Sequence, residues 1–475
     1  MISCERWKDG FVLTVEGLRL LRHSSSFPAI FLGNPKEKAE SAVQGGDESV
    51  RNLKWKSIGA CGILNEGPDF IVLDFPSTLR IRISYADRIL SLDFSPVGPA
   101  AQGIRLHVGA RPAERLFGAG PSTQYDMKKK RIELEEEDGD PLSRRNPTIM
   151  SSSGSWIHVE GKGSFLWNFS SALTELSCSA VPDGLTLGFG RDFAMGLDLL
   201  TGCKAGGRHG FPEAFHGGIV LDARGAPPEA AGLPDRMREG GMRLAAVIVD
   251  RDSGTAADPA GIRPQDWSDL LGAASARALP LRTCGEPGSA RELVRGILSL
   301  SFSGEGQVFL PVDEDSRGSD FSPACELAAF GPLFLLSASR VFSGDASARR
   351  LAAAAAIYGG LEPYRRSCSL EWEKSGMPAL MHPAVRYTEE EVLWDLDDQY
   401  MFGPDLLIAP TMGKGSRTRE LRLPCDEWVH LWTSRLYSGG RTVVDAPPER
   451  PAVFYRSASP FASLFDALRQ KATRY

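Results

Sequence analysis

The sequence predicts a protein of several domains, in which two all-β regions flank one region of alternating strands and helices. A period-two alternation of apolar residues runs through residues 11–110 and is typical of half-buried β-strands. A strand, a helical spacer and a second strand follow at 217–250, and strands with tight turns return from residue 378 onward. This order indicates an antiparallel β-sandwich, then a parallel α/β layer, then a second β-domain.

The composition is that of a globular protein without a nucleic-acid partner. The 475 residues have a hydrophobic fraction of 42%, a charged fraction of 24% and a net charge of −6. The longest basic run, KKKR at 128–131, is followed at once by acidic residues, whereas nucleic-acid binding needs a basic surface. No stretch approaches the ~20 apolar residues that span a bilayer, and the N-terminus lacks the apolar core of a signal peptide. We therefore expect a cytoplasmic protein with no membrane partner.

The cysteines and histidines predict neither a metal site nor a cofactor site. Eight cysteines lie singly along the chain and seven histidines are equally scattered, without CxxC or HExxH spacing. The segment 311–320 has the Asp-x-Asp opening of a calcium loop, but Arg317 and Ala324 occupy positions that need oxygen ligands. Gly118 and Gly120 lack the third glycine of a dinucleotide-binding turn. We expect reduced thiols, no metal and no cofactor.

The first 200 residues are predicted to form one antiparallel β-sandwich. FVLTV at 11–15 and TLRIRISY at 78–85 each place their apolar residues on one face of a strand. The segment 155–170 predicts a hairpin that turns at 160–163. The charged segment 126–147 predicts a long loop between strands.

The middle of the chain is predicted to begin with a βαβ unit. The apolar strands GGIVLDA and MRLAAVIVD bracket a helical spacer, which is the pattern of two parallel strands joined by a helix. Two helices follow at 290–300 and 347–376, and the second is expected to break at Gly359-Gly360. Further buried strands are predicted at 279–284, 307–313 and 331–342.

The tail returns to short strands and tight turns. Residues 396–410, LDDQYMFGPDLLIAP, predict a turn that leads into a short, fully buried strand, a local pattern that assigns no chemistry by itself. Four more strands are predicted at 419–424, 427–433, 441–446 and 451–456.

Three segments of the tail hold closely spaced motifs that carry a family resemblance. Segment 361–383 has a helix with a Tyr, then Gly-x-Pro, then a Pro after His382, and 397–410 has Asp-Gln-Tyr and Gly-x-Asp-(apolar)3-Ala-Pro. Segment 419–456 has the string Leu-Pro, Trp, Trp-Thr, Gly-Gly, Ala-Pro and Tyr-Arg. These motifs resemble glycoside hydrolase family 31, and within it the bacterial sulfoquinovosidase branch. Upstream, 115–126 matches a Phe-Gly-x-Gly-Glu motif weakly, with Pro121 in place of the Glu.

The resemblance implies three domains. These are a galactose-mutarotase-like β-sandwich at 1–210, a (β/α)8-type barrel region at 211–377 and a C-terminal β-sandwich domain at 378–475. In the family, one Asp attacks the anomeric carbon and a second carboxylic acid protonates the leaving oxygen, and such retaining pairs lie ~5–5.5 Å apart. A (β/α)8 barrel needs at least ~200 residues, whereas Gly217 to Gly360 comprise 144. We therefore expect a truncated barrel remnant.

The residues that perform the family's chemistry are not found in this sequence. No Asp follows an apolar strand with the neighbours of the family's nucleophile, and the Gly-Asp motif of the acid is not recognised at the place where the resemblance would put it. Leu335 and Ser337 stand where the resemblance places an Arg and a His that contact sugar, and His382 replaces an Arg before Pro383.

Four other carboxylates are the candidate catalytic residues. Asp250 and Asp252 follow the second apolar strand, and Asp313 and Asp315 follow a later one. Functional groups of barrel enzymes lie at such C-terminal strand ends, where a carboxylate serves as acid, base or acceptor for a sugar hydroxyl. The alternative is a set of solvated strand ends. A sugar could also stack on tryptophans, although tryptophans in alternating strands are more often core residues; these are Trp156, Trp167, Trp372, Trp428 and Trp432.

The sequence thus predicts a family-31 homologue without retaining glycosidase activity. Its remaining function would be sugar binding, or partnership in a hetero-oligomer with a full-length family-31 relative, because a shortened α/β layer leaves apolar flanks that usually mark an interface. The alternative is an active α-glycosidase, of the α-glucosidase or sulfoquinovosidase type, whose carboxylates have relocated to the four candidates. A third possibility is an eroded protein without a selected role.

Overall fold

The computed structural model describes residues 2–7, 9–35, 50–97, 102–109, 114–119, 131–134, 147–169, 173–203, 208–224, 226, 232–248, 261–262, 276–278, 290–312, 321–338, 345–412, 416–447 and 450–472. Apart from two short segments, the chain up to Leu200 forms one compact unit, and the residues from Thr201 onward form a second. The first unit consists mostly of β-sheet, and the second combines strands with helices. None of the described helices is long and apolar enough to cross a membrane.

The first unit is built almost entirely from strands, and its helix α1 (Phe193–Cys203) begins near its end. The strands are β1 (Ile2–Trp7), β2 (Gly10–Val15), β3 (Leu18–Ser24), β4 (Ile30–Pro35), β5 (Leu53–Ser57), β6 (Gly62–Glu66), β7 (Phe70–Phe75), β8 (Leu79–Ala86), β9 (Ile89–Pro96), β10 (Gly103–Gly109), β11 (Leu116–Gly118), β12 (Arg131–Leu134), β13 (Thr148–Ser151), β14 (Ser155–Glu160), β15 (Phe165–Phe169), β16 (Leu173–Cys178) and β17 (Gly184–Phe189).

Two large antiparallel sheets form the predicted sandwich. One has the order β12-β15-β16-β10-β4-β5 and the other β11-β13-β14-β17-β9-β8-β7-β6, while β1, β2 and β3 form a small third sheet. Alternate residues such as Leu13, Ile81 and Leu106 are fully buried in one continuous apolar core. The alternation seen in the sequence therefore predicted this unit correctly, because every second side chain of a half-buried strand points into the core.

The hairpin predicted at 155–170 is wrong. Strand β14 pairs with β13 and β17, whereas β15 pairs with β12 and β16, so the turn between them connects the two sheets. Gly161 and Gly163 have φ angles of 142° and 86°, and a side chain at Gly163 would lie 2.4 Å from Oγ of Ser179. The chain passes so close to its neighbour that only glycine fits there. The two strands then bury Val159 and Phe165 in the shared core from opposite sheets.

The charged segment 126–147 is not a continuous loop. Residues Arg131–Leu134 form strand β12, which pairs with β15 and buries Ile132. Of the other residues in that segment, only Pro147 lies within the described part of the chain.

The second unit alternates strands and helices before it returns to antiparallel sheet. Its strands are β18 (Ile219–Asp222), β19 (Leu244–Ile248), β20 (Gly261–Ile262), β21 (Ala276–Ala278), β22 (Gln307–Phe309), β23 (Pro311–Val312), β24 (Leu335–Ser337), β25 (Leu380–Met381), β26 (Tyr400–Phe402), β27 (Leu406–Ala409), β28 (Thr418–His430), β29 (Leu436–Asp445) and β30 (Ala452–Arg456). Its helices are α2 (Leu233–Glu239), α3 (Ala290–Phe302), α4 (Phe321–Ala329), α5 (Asp345–Gly360), α6 (Glu362–Ser375), α7 (Pro383–Arg386) and α8 (Ala462–Ala472).

A parallel sheet with the order β20-β19-β18-β24-β23 forms the first part of this unit. Strands β18 and β19 are parallel and joined by α2, which confirms the predicted βαβ unit. Strand β22, which directly precedes β23, pairs in parallel with β21. Neighbouring strands thus follow chain order, and the last strand, β24, lies beside the first, β18. The strand predicted at 279–284 lies outside the described residues.

One face of the parallel sheet buries a compact apolar cluster. The register pairs Val220 with Ala246 on one side and with Leu335 on the other, so these three side chains share a face. They pack with four phenylalanine and leucine side chains and with Ile248; the four are Phe211, Phe215, Phe309 and Leu333. This cluster is the floor on which the candidate site rests.

The C-terminal sheet is antiparallel and has the order β25-β26-β27-β30-β28-β29. The two strands predicted at 419–424 and 427–433 are one strand, β28, with a register shift between Leu423 and Glu427. Pro424 cannot donate a backbone hydrogen bond, and the register shift accommodates it without ending the strand. The long helix predicted at 347–376 breaks into α5 and α6 next to Gly359-Gly360, as expected.

Candidate functional site

The C-terminal ends of the parallel strands bring Asp222, Ile248 and Ser337 to one layer. The register pairs Asp222 with Ile248 of β19 and with Ser337 of β24. Because alternate residues of a strand share a face, these side chains lie on the face of Val220 and Leu335, one step nearer the strand ends. Parallel α/β folds place their functional groups at this end of the strands. We call Asp222, Arg224 and Ser337 the strand-end site.

Asp222 is held in a bidentate ion pair. Nε of Arg224 donates to Oδ1 of Asp222 at 2.8 Å, and Nη2 donates to Oδ2 at 2.6 Å. The backbone N–H of Arg224 also donates to Oδ1 of Asp222, at 3.2 Å. The backbone N–H of Ala338 donates to the Asp222 carbonyl at 2.7 Å. The side chains are 18% and 35% exposed, so the pair is reachable from solvent. Each carboxylate oxygen therefore accepts a hydrogen bond from the guanidinium and keeps a further lone pair for another donor.

Retaining glycosidase chemistry needs two carboxyl groups, one as nucleophile and one as proton donor. Of the three paired strand ends Asp222, Ile248 and Ser337, one carries a carboxylate and it is engaged with Arg224. The described part of the site can accept hydrogen bonds from hydroxyl groups at its carboxylate edges and donate to them from the guanidinium.

The four carboxylates proposed from the sequence, Asp250, Asp252, Asp313 and Asp315, lie outside the described residues. The strands that precede them, β19 and β23, end on the same edge of one sheet and are separated by β18 and β24. At about 4.8 Å per strand, three spacings put these strand ends about 14 Å apart in a flat sheet. That is wider than either separation used by glycosidase pairs.

Asp222 is the site residue that the sequence reading missed. It ends the segment IVLD in the same way that Asp250 ends VIVD. Of these two residues, Asp250 was named as a candidate and Asp222 was not. A search for acidic residues at the end of every apolar strand would have found it, since parallel strands align their C-terminal ends.

The positions where the family resemblance expected sugar contacts now serve packing. Leu335 is buried in the apolar cluster. The ring of His382 is fully buried, accepts from the N–H of Ala384 at Nδ1 (3.0 Å) and donates from Nε2 to the Leu396 carbonyl (2.8 Å). It stacks on Trp394 with 5.7 Å between ring centroids and 8° between planes. Both ring nitrogens of His382 are thus satisfied within the protein.

The polar residues of segment 396–410 also bind the protein itself. The Gln399 amide donates to the Arg422 carbonyl at 2.6 Å and accepts from the Arg422 N–H at 3.0 Å. The Asp405 carboxylate is 2% exposed and accepts from Nε and Nη2 of Arg456 at 2.9 and 2.7 Å. This motif therefore holds the C-terminal sheet together.

The tryptophans considered for sugar stacking are mostly core residues. Four of them are at most 2% exposed, namely Trp156, Trp167, Trp372 and Trp428. Trp432 is half-buried and donates from its ring nitrogen to the Pro451 carbonyl at 2.7 Å.

A cleft of about 380 Å³ lies at the opposite, N-terminal end of β18 and β19. Small residues of α5 such as Ala352 and Gly359 line it, and the ion pair between Arg243 and Glu362, 2.9 Å long, flanks it. Barrel enzymes use this end for stability and not for catalysis. We therefore place the candidate site at the other end.

Comparison with known families and proteins agrees with the motifs of the tail. Residues 376–459 match the model described as the glycosyl hydrolase family 31 C-terminal domain. A sulfoquinovosidase of Agrobacterium fabrum is 41% identical over 116 residues, which are 24% of this chain and 18% of that enzyme. A sulfoquinovosidase of Escherichia coli is 33% identical over 152 residues, 30% of this chain and 22% of that enzyme. The matches thus span about a fifth of these relatives.

The fold is similar over the whole chain. A family-31 sulfoquinovosidase from E. rectale, solved with an aza-sugar inhibitor, has a TM-score of 0.76, covers 99% of both chains and is 16% identical. A family-31 dextranase of Flavobacterium johnsoniae has a TM-score of 0.61 at 14% identity, covering 97% of this chain and 80% of that one. At these identities the similarity concerns architecture alone.

Proposed function

Because this chain belongs to glycoside hydrolase family 31, we propose that it is a member without retaining glycosidase activity, which binds a carbohydrate at the strand-end site. The observation that carries the proposal is the bidentate pair of Asp222 and Arg224. A retaining glycosidase needs a second carboxyl group beside its nucleophile, whereas Asp222 is the one carboxylate among the described strand ends that pair at this layer, and it is held by Arg224.

We also propose that the parallel strands are a shortened barrel. Three features support this: every pairing is parallel, neighbours follow chain order, and β24 lies beside β18 as the last and first strands of a closed ring do. A doubly wound sheet instead keeps its first strand next to a reversal of strand order. In this interpretation the strands that carry nucleophile and acid in the family are the ones this chain lacks.

Sugar binding suits the chemistry of the strand-end site. A carboxylate accepts from a pair of adjacent hydroxyls, and a guanidinium donates to them. The buried apolar cluster that contains Phe309 and Leu335 holds the strands of this site in place. The relatives named sulfoquinovosidase match 24% and 30% of this chain, so both neutral and sulfonated sugars are candidate ligands.

The partner role with a second family-31 enzyme remains part of the proposal, in second place. Of the large exposed apolar side chains of the described residues, Leu370 lies on α6 within 211–377, whereas others, among them Phe27, Leu436 and Val443, lie outside that region. The expected uncovered flank is thus not visible in the described part of 211–338.

We also propose a reducing, cytoplasmic location, which the free thiols of the seven described cysteines support.

Hydrolysis assays test the inactivity. Purified folded protein is incubated with a panel of aryl α-glycosides that includes α-glucoside and α-sulfoquinovoside, with an active family-31 enzyme as the positive control. We expect no turnover above that of the Asp222→Asn variant. Turnover that disappears in Asp250→Asn or Asp313→Asn would overturn the proposal in favour of relocated carboxylates.

That alternative, an active α-glycosidase, has one observation in its favour. Strands β19 and β23 end on the same edge of the sheet, so the segments that contain Asp250 and Asp313 start on the same side. A catalytic pair would need carboxyl groups several ångströms closer together than the ~14 Å between flat strand ends.

Binding measurements test the positive half of the proposal. Saturation-transfer NMR with free glucose and sulfoquinovose is expected to show contacts that are lost in Asp222→Ala and in Arg224→Ala. Arg243→Ala, at the opposite end of the same strands, is the matched control and should bind as the wild type does. Equal signals in all four proteins would exclude the strand-end site.

A further inference from the structure

Two arginines lie directly opposite each other on the outer face of the C-terminal sheet. The register of β28 and β29 pairs Arg422 with Arg441. Directly opposed residues in an antiparallel pair have Cβ atoms about 4.5–5.5 Å apart on the same face, and like charges in that arrangement destabilise the sheet. The backbone register thus places two arginine side chains side by side on one face of the sheet.

Among the described residues, no acidic side chain pairs with Arg422 to offset the repulsion between the two arginines. Its side chain is half-buried, its Nε is inaccessible to solvent, and that Nε has no hydrogen-bond acceptor among the described residues. A buried donor without an acceptor costs about 1–3 kcal/mol and usually signals a water or ion at the position.

The described carboxylates in the neighbourhood are each already paired with an arginine. Asp398 lies 2.9 Å from Nη2 of the buried Arg419 and 3.4 Å from Arg291. Glu420, two residues before Arg422 and on its face, is 3.6 Å from Arg441, with 60% and 77% of the two side chains exposed. An exposed pair of this kind contributes little. The paired arginines therefore retain an excess of positive charge.

The backbone beneath Arg422 is fixed. The fully buried Gln399 amide makes one hydrogen bond to the N–H of Arg422 and one to its carbonyl. Strand β29 lies at the edge of the sheet, so the face next to Arg441 is open to solvent. The site thus combines a rigid base with free access.

We infer that Arg422 and Arg441 form a binding site for an oxyanion group, such as the sulfate, phosphate or carboxylate substituent of an acidic ligand. Each guanidinium offers five N–H donors in a planar fork that matches these groups, and an anion between the two would neutralise their repulsion. This site is independent of the strand-end site and of the sugar-binding proposal.

The test is calorimetric titration of the purified protein with sodium sulfate, sodium phosphate and sodium acetate, each at constant ionic strength set with sodium chloride. We expect saturable binding of at least one anion, and the anion that binds best identifies the chemical class. Arg441→Gln is expected to weaken this binding by about tenfold or more, the effect of ~1.4 kcal/mol. Arg422→Gln should do the same.

Two further variants make the result specific. Glu420→Gln removes the competing carboxylate and should strengthen anion binding by about two- to fivefold, equivalent to 0.4–1 kcal/mol. Arg450→Gln removes an exposed arginine elsewhere in the tail and should change nothing. Arg441 is 77% exposed, so its replacement does not threaten the fold. Absence of saturable binding to wild type, or equal weakening by Arg450→Gln, would overturn the inference.

Discussion

The C-terminal sheet and the parallel sheet of the second unit differ in what their polar residues do. In the C-terminal sheet, Gln399 and Asp405 are buried and hydrogen-bonded to the protein. In the parallel sheet, Asp222 and Arg224 remain partly exposed at the strand ends. The part of the chain that carries the family motifs is therefore built for packing, while the part that would carry chemistry has few of them. A family relationship inferred from such a tail therefore indicates a shared fold and does not by itself indicate a shared function.

The largest effect is expected from breaking the buried ion pair of the C-terminal sheet. Asp405→Asn removes the charge that compensates Arg456, and breaking a buried pair by removal of one partner costs about 3–5 kcal/mol; since Arg456 is 30% exposed, we expect the lower end. Urea unfolding measures this change. Glu420→Gln, which breaks an exposed pair on the same sheet, is the control and should cost well under 1 kcal/mol. Equal costs would contradict the assigned role of Asp405.

Acid should destabilise both regions through one histidine each. Burial lowers the pKa of His216, helped by Arg365 and Arg366, and that of His430, in each case from 6.5 to about 4. The unfolded chain therefore binds more protons between these values, so the stability is present above pH 6.5 and is lost as pH falls toward 4. From pH 7 to pH 5 the loss is about 2 kcal/mol per histidine.

Urea unfolding at several pH values, with His216→Asn and His430→Asn, separates the two contributions. Each variant should have a shallower pH dependence by about one proton near pH 5, whatever its stability at pH 7. An unchanged slope in either variant would show that the histidine concerned is accessible to protons in the native state.

A smaller loss is expected when the motif glutamine is replaced. Gln399→Leu leaves the Arg422 N–H and carbonyl without their partners, which costs about 1–3 kcal/mol. The thermal midpoint should fall accordingly, while sugar binding at the strand-end site stays as in the wild type. Loss of sugar binding by a folded Gln399→Leu protein would contradict the assignment of packing to one region and sugar binding to the other.

The smallest effect on stability is expected at the strand-end site itself. Asp222→Asn breaks a partly exposed pair, so we expect a change of about 1 kcal/mol or less in the free energy of unfolding. Carbohydrate binding measured by NMR should nevertheless be lost. A large loss of stability would mean that Asp222 is a packing residue like Asp405.

The sequence predicted the elements better than their partners. Alternation identified the strands of the sandwich, because burial of every second residue leaves a local record, but the turn at 160–163 gave no sign of which sheet each flanking strand joins. The partner of Gln399 lies 23 residues away across the sheet and leaves no local pattern. Asp222 was visible as the last residue of an apolar strand, whereas its pairing with Arg224 requires coordinates.

The pairing of β10 with β16 has a consequence for folding while the chain is being synthesised. Strand β10 ends at Gly109, and its partner β16 is complete only at Cys178, some 70 residues later. At about 5–20 residues per second, the ribosome needs about 4–14 s to supply it. Strand β9 waits even longer for β17. During this interval one edge of β9 and one edge of β10 lack their later partners, and such open edges can pair with other strands.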